Sequence, residues 1–83
     1  MTVRVLYFSS LQDIVGQSEA EETLTDDREW TLGDFLDHLY ARTPALREWD
    51  GSILLAIDQR WANREALLSE GAEIAIMPPV QGG

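Results

Sequence analysis

The chain has 83 residues, enough for one small domain, and an apolar share of 45 %, ordinary for a folded globule. Fifteen acids against six arginines leave a net charge of −9, which repels phosphate backbones and anionic lipid; nucleic-acid and membrane-surface binding are therefore not expected. Lysine and cysteine are both absent, so disulfides, thiolate metal sites and cysteine nucleophiles are excluded, and His38 alone cannot build a histidine cluster.

The first segment, Thr2–Phe8 (TVRVLYF), is β-branched and aromatic and predicts a strand. Val3, Val5 and Tyr7 fall on one face, Leu6 and Phe8 on the other, and such two-sided apolarity suits a place inside a sheet. Its apolar run breaks at Ser9-Ser10, too short for a signal peptide, and nothing approaches transmembrane length; a cytoplasmic protein is expected. The serines read as an N-cap to a short helix, Leu11–Val15, closed by Gly16. Glu19–Thr25 reads as a weaker edge strand. Thr31-Leu32-Gly33-Asp34 has the form of a capping box with Asp in the third place. Leu32, Phe35, Leu36, Leu39 and Tyr40 then follow as one apolar helical stripe, with Asp34, Asp37 and His38 opposite. Pro44 ends this helix near Arg42-Thr43, and Pro44–Trp49 allows one further turn.

Ser52–Ile57 predicts a third strand. Asp58-Gln59-Arg60 turns the chain, Trp61-Ala62 pairs back briefly, and Glu70-Gly71 turns it again. Glu73–Met77 is the last strand, stopped by Pro78-Pro79. Two strands, a helix and two strands make an α+β fold: a small mixed sheet, its first and last strands together in the centre, with one main helix on one face.

Residues 78–83, Pro-Pro-Val-Gln-Gly-Gly, carry the functional signal. Prolines hold their predecessors extended, so this segment projects stiffly and six extended residues reach about 20 Å. Gly82-Gly83 adds no side chains and ends in a carboxylate, ionised at neutral pH. A slender arm of this kind enters a tunnel that rejects bulkier residues. Once activated as an acyl-adenylate, its carboxyl group is open to a sulfur or nitrogen nucleophile. The domain is thus expected over residues 1–79, with a flexible tail over 80–83.

With the segments VRVLYF, TLGDFLDHL, LLAID, LLSEGAEIAIMPPV and the final QGG in view, the whole chain resembles the small-subunit family of molybdopterin synthase. That family belongs to the ubiquitin-like β-grasp sulfur carriers, alongside the thiamin-pathway carrier. The PPV-x-GG ending is the most specific match. The resemblance implies that Gly83 is adenylated and converted to a thiocarboxylate, with Gly82 its slender neighbour. It implies an E1-like activating enzyme using Mg-ATP, no cofactor or metal bound by this chain, and a large subunit, two copies of each assembling together. That complex would pass sulfur to cyclic pyranopterin monophosphate in molybdenum cofactor biosynthesis; this chain alone would not be an enzyme. Phe8, Met77, Pro78, Pro79, Val80 and Gln81 are the candidate partner contacts. Three features depart from the family pattern: Met77 stands where the family often has an aromatic residue, Asp58 where asparagine is common at the turn, and lysine is missing.

Other readings of single residues stand beside these. Phe8 and Met77 are either docking groups or core. Trp61 is expected to cover the core, and His38 to be solvated. Glu21-Glu22 and Asp26-Asp27 read as a solvated acidic edge rather than paired catalytic carboxylates. Two further functions remain open: a carrier for thiamin or another thio-cofactor, or a ubiquitin-like protein modifier. A remote third is an acidic inhibitor or nucleic-acid mimic built on the six acids between Glu19 and Glu29; it leaves the tail unexplained.

Overall fold

The structure, a computed structural model, describes residues 1–79. In chain order the elements are β1 (Thr2–Tyr7), α1 (Ser10–Val15), β2 (Glu19–Thr23), α2 (Leu32–Arg42), α3 (Pro44–Arg47), β3 (Leu54–Ile57), β4 (Arg60–Trp61) and β5 (Glu73–Met77). The five strands form one sheet in the order β2-β1-β5-β3-β4. Only β1 and β5 pair in parallel; the other neighbours are antiparallel. The first and last strands do lie side by side, with β5 central. Helix α2 crosses one face, the β-grasp arrangement that the resemblance implies.

Alternation along the strands assigns the faces. Val3, Val5 and Tyr7 point inward, in register with Ile74 and Ile76, and Leu55 pairs with Ile76. All are buried against Leu32, Phe35, Leu36, Leu39 and Tyr40, the apolar stripe of α2. The stripe is fixed by its cap. Thr31 Oγ1 accepts from the Asp34 N–H at 3.1 Å, and Asp34 Oδ2 accepts from the Thr31 N–H at 3.1 Å. That backbone bond from Thr31, with Arg28 alongside at 2.8 Å, holds the Asp34 carboxyl below its ordinary range. Pro44 then starts α3 at the position where a missing N–H costs nothing.

The segment between β4 and β5 crosses the start of α2. Leu32 and Gly33 donate to the carbonyls of Ala66 and Arg64, at 2.8 and 2.9 Å. A Cβ on Gly33 would sit 3.3 Å from the Arg64 carbonyl oxygen, so this close crossing favours glycine. Tyr40 donates to Asp50 at 2.5 Å and Arg64 bridges to the same carboxylate at 2.8 Å, pinning α2 to the loop after α3.

Several expectations are corrected. β3 begins at Leu54 rather than Ser52, because the N–H groups of Ser52 and Ile53 both donate to the Trp49 carbonyl. β2 ends at Thr23 rather than Thr25. Ser9 occupies the cap position of α1, but its hydroxyl makes no cap bond and its φ is 51°; the Phe8 carbonyl receives the Leu11 N–H instead. Glu22 is no solvated edge residue. It points inward, is 7 % exposed, and is held by Arg42 at 2.7 Å. His38 is half-buried, its ring edge-on to Trp30 and stacked on Phe35.

A docking face around the exit of the tail

The outward-facing side chains of the same strands divide into two zones. Across β2, β1 and the start of β5 the zone is charged. Arg4 lies opposite Glu21 and is flanked by Glu19 at 3.2 Å and Glu73 at 3.9 Å. Across β5, β3 and β4 it is apolar. Leu6 lies beside Ala75, Ala75 beside Ala56, and Ala56 beside Trp61; Met77 pairs with Leu54. Phe8 follows β1 at the same end, its N–H donating to the Ile76 carbonyl at 3.2 Å.

Three large side chains of this zone stand out from the surface: Trp61 is 73 % exposed, Phe8 40 % and Leu54 36 %. Between Trp61, Gln59 and Met77, over a floor of Ala56 and Ala75, lies a shallow depression of about 200 Å³. An apolar patch left open in this way marks an interaction surface. Pro78 and Pro79 follow β5 at its C-terminal end.

The two-residue turn Asp58-Gln59 builds the zone. Both residues have positive φ, 51° and 69°, the hand that matches the twist of the flanking strands. Asp58 Oδ1 accepts from the Glu73 N–H at 3.0 Å, and the Asp58 N–H donates to the Glu73 carbonyl at 2.8 Å. The turn is thus tied to the start of β5, and β4 returns with Trp61 facing outward beside Ala56. Asp58 accepts this bond through a side-chain oxygen, as an asparagine would.

Of the sequence-derived contacts, Phe8 and Met77 are placed together on this face, Met77 half-buried, and Pro78 and Pro79, also half-buried, lead away from it. Val80, Gln81, Gly82 and Gly83 lie outside the described residues. Trp61 was expected as core cover and is the opposite, the most exposed large apolar residue of the described chain. It and Leu54 are the members that sequence reasoning missed. The turn signal before Trp61 was legible; the face on which the returning strand would put it was not. His38 packs against Trp30 and Phe35 and takes no part in this face. Among the described residues no group of three or more His, Cys, Asp or Glu side chains is placed to hold a metal, and no helix is long and apolar enough to cross a membrane.

Comparison with known proteins adds the following. The model of the ThiS family matches residues 5–83. The molybdopterin synthase sulfur carrier subunit of Escherichia coli is 32 % identical over 83 residues, covering 98 % of this chain and 99 % of that one. Its namesake from Chlamydomonas reinhardtii is 33 % identical over 86 residues, covering 100 % of both. Among solved structures, SAMP1 from Haloferax volcanii superposes with a TM-score of 0.83 at 28 % identity, over 100 % of both chains.

Proposed function

The chain belongs to the ThiS family, and we propose that it works as the sulfur-carrier subunit of molybdopterin synthase, with Gly83 as the atom-carrying residue. The observation that carries this reading is the apolar zone of Phe8, Leu54, Trp61 and Met77 set around the strand end from which Pro78-Pro79 departs. A partner that grips this zone receives the following Pro-Val-Gln-Gly-Gly segment in a fixed direction. Proximity then does much of the catalytic work, since reacting atoms must come within about 3–3.5 Å.

The chemistry divides between partners. An E1-like enzyme holding Mg-ATP lets a Gly83 carboxylate oxygen attack the α-phosphate, and pyrophosphate leaves. A persulfide sulfur displaces AMP from the acyl carbon, and cleavage of the sulfur–sulfur bond by a thiol leaves the thiocarboxylate. In the large subunit that sulfur passes to cyclic pyranopterin monophosphate, and two rounds complete the dithiolene. This chain contributes the docking face and the carrying arm, while the large subunit supplies the pocket and the acid and base groups. Two small and two large subunits, working in the cytoplasm, complete the proposal.

Deletion of Gly83 tests it. The carboxylate retreats by about 3.5 Å, one extended residue, while residues 1–79 keep their sequence. Thermal unfolding should be unchanged. Dithiolene formation, reconstituted from activating enzyme, ATP, a sulfur donor, the large subunit and the pterin precursor, should be lost. Comparable product from the truncated chain would refute the carrier role. A second reading, use as a protein modifier, is favoured by the likeness to the small archaeal modifier protein 1 of Haloferax volcanii, at a TM-score of 0.81 and 26 % identity.

A further inference from the structure

An activated carboxyl end is a hazard to the molecule that carries it, because any neutral amine or thiol nearby can capture it. We infer that this chain is built to be inert toward its own activated end: it cannot acylate itself or a second copy, so a protein joined to it carries one unit and never a chain of units. The inference rests on the proposed activation of Gly83 and extends it to the acceptor.

The reaction at issue is defined. The lone pair of a neutral amine attacks the Gly83 acyl carbon, the bond to the adenylyl phosphate breaks, AMP leaves with the bonding pair, and the amine gives a proton to solvent. The sequence contains neither lysine nor cysteine, the two side chains best suited to this attack. Its six permanently cationic side chains are all arginines, whose guanidinium stays protonated and delocalised at any physiological pH. The remaining primary amine, on Met1, is turned onto the fold: it donates to the Leu24 carbonyl at 3.0 Å and pairs with Asp26 at 2.6 Å. Both contacts tie the amine to its own fold and hold it away from an incoming acyl group.

The weaker nucleophiles are disarmed too. Burial pushes the Tyr7 phenol up to about 12, helped by the charge of Glu22, and burial with its bond to Asp50 raises Tyr40 further. Neither is a phenolate near neutrality. His38, the one imidazole, is packed against Trp30 and Phe35. Carboxylates remain plentiful, but the anhydrides they form are returned by water. The acceptor must therefore be a primary amine or a sulfur nucleophile of another molecule.

Two experiments test this. In the first, the 83-residue chain is incubated with its activating enzyme and Mg-ATP, and pyrophosphate release and intact mass are followed together. Release without any species at twice the chain mass is expected. Under the same conditions Gln17→Lys, at an exposed turn between α1 and β2, should give a ladder of isopeptide-linked chains. Asp26→Ala should give a dimer joined through Met1. Covalent multimers of the unaltered chain would overturn the inference. The second experiment needs no activation of Gly83, so it remains decisive if pyrophosphate release, and with it the carrier reading, fails. The chain is treated at neutral pH with one equivalent of the N-hydroxysuccinimide ester of N-acetyl-glycylglycine. Gln17→Lys should be acylated at least tenfold faster than the unaltered chain. Rates within twofold of each other, or stable adducts on serine, threonine or tyrosine of the unaltered chain, would overturn it.

Discussion

On its inner side the sheet carries Val3, Val5, Tyr7, Leu55, Ile74 and Ile76; on its outer side the same strands carry Leu6, Leu54, Ala56, Ala75 and Met77, with Phe8 just after β1. The two sets are similar in composition and differ in fate. The first is sealed beneath the stripe of α2, whereas Phe8 and Leu54 of the second stay open to solvent beside Trp61. A strand fixes only that neighbours point to opposite faces. Which face becomes core is decided by the helices, chiefly α2 with Leu11 of α1 and Leu46 of α3 beside it, which cover one side only. The uncovered side keeps an apolar zone next to the exit of the tail, and the energetic cost of that exposure is consistent with a surface meant to be covered by a partner.

The comparison is sharpest in substitutions that remove one large group from each side. Leu36→Ala, beneath the inner face and fully buried, should cost about 2–5 kcal/mol, enough to unfold much of so small a domain. A loss below about 0.5 kcal/mol in denaturant titration would show the core to lie elsewhere. Trp61→Ala, on the outer face, should behave in the reverse manner. Folding stability should move by less than about 0.5 kcal/mol, while affinity for the large subunit should fall by about 1–3 kcal/mol, the range for an exposed aromatic anchor. Isothermal titration with the purified large subunit would check it; unchanged affinity would remove Trp61 from the docking face.

Smaller effects refine the same contrast. Gln59 sits at a φ of 69°, a conformation that costs a side-chain-bearing residue energy. Gln59→Gly should therefore raise stability by about 0.5–1 kcal/mol while leaving Trp61 where it is. A drop in melting temperature would mean that the Gln59 side chain supports the turn. On the inner side Tyr7 provides the pH test. Its phenol is raised to about 12, first by burial and then by Glu22, against an ordinary value of 10.0. The folded state thus prefers the neutral form; its contribution is complete below pH 10 and fades as the pH climbs toward 12. Unfolding free energies measured across that interval should decline, and Tyr7→Phe should flatten part of the decline. An equal slope in both proteins would assign the effect to Tyr40 alone.

Local signals made most of the fold legible. The capping box at Thr31 and Asp34, the stripe from Leu32 to Tyr40, the stop at Pro44 and the turn before Glu73 all depend on residues within a few positions of one another. Their physics is short-range and survives without knowledge of the rest of the chain. The reading of the tail, a stiff stem at Pro78-Pro79 and a slender end at Gly82-Gly83, draws on equally local residues, the last four of which lie outside the described residues.

Tertiary structure decided what depends on distant partners. Glu22 reads as solvated until Arg42, twenty positions away, is folded back onto it at 2.7 Å. His38 reads as exposed on a helical wheel until Trp30, arriving from the preceding loop, covers one edge of its ring. Trp61 reads as core because large aromatic side chains usually are. Its exposure follows from a two-residue turn and from pairing with Ala56, which together set it on the face that α2 does not cover. By itself the sequence determined the elements and their order; the side of the sheet on which each apolar group would be buried or offered awaited the helix, because burial is a property of the two surfaces that meet.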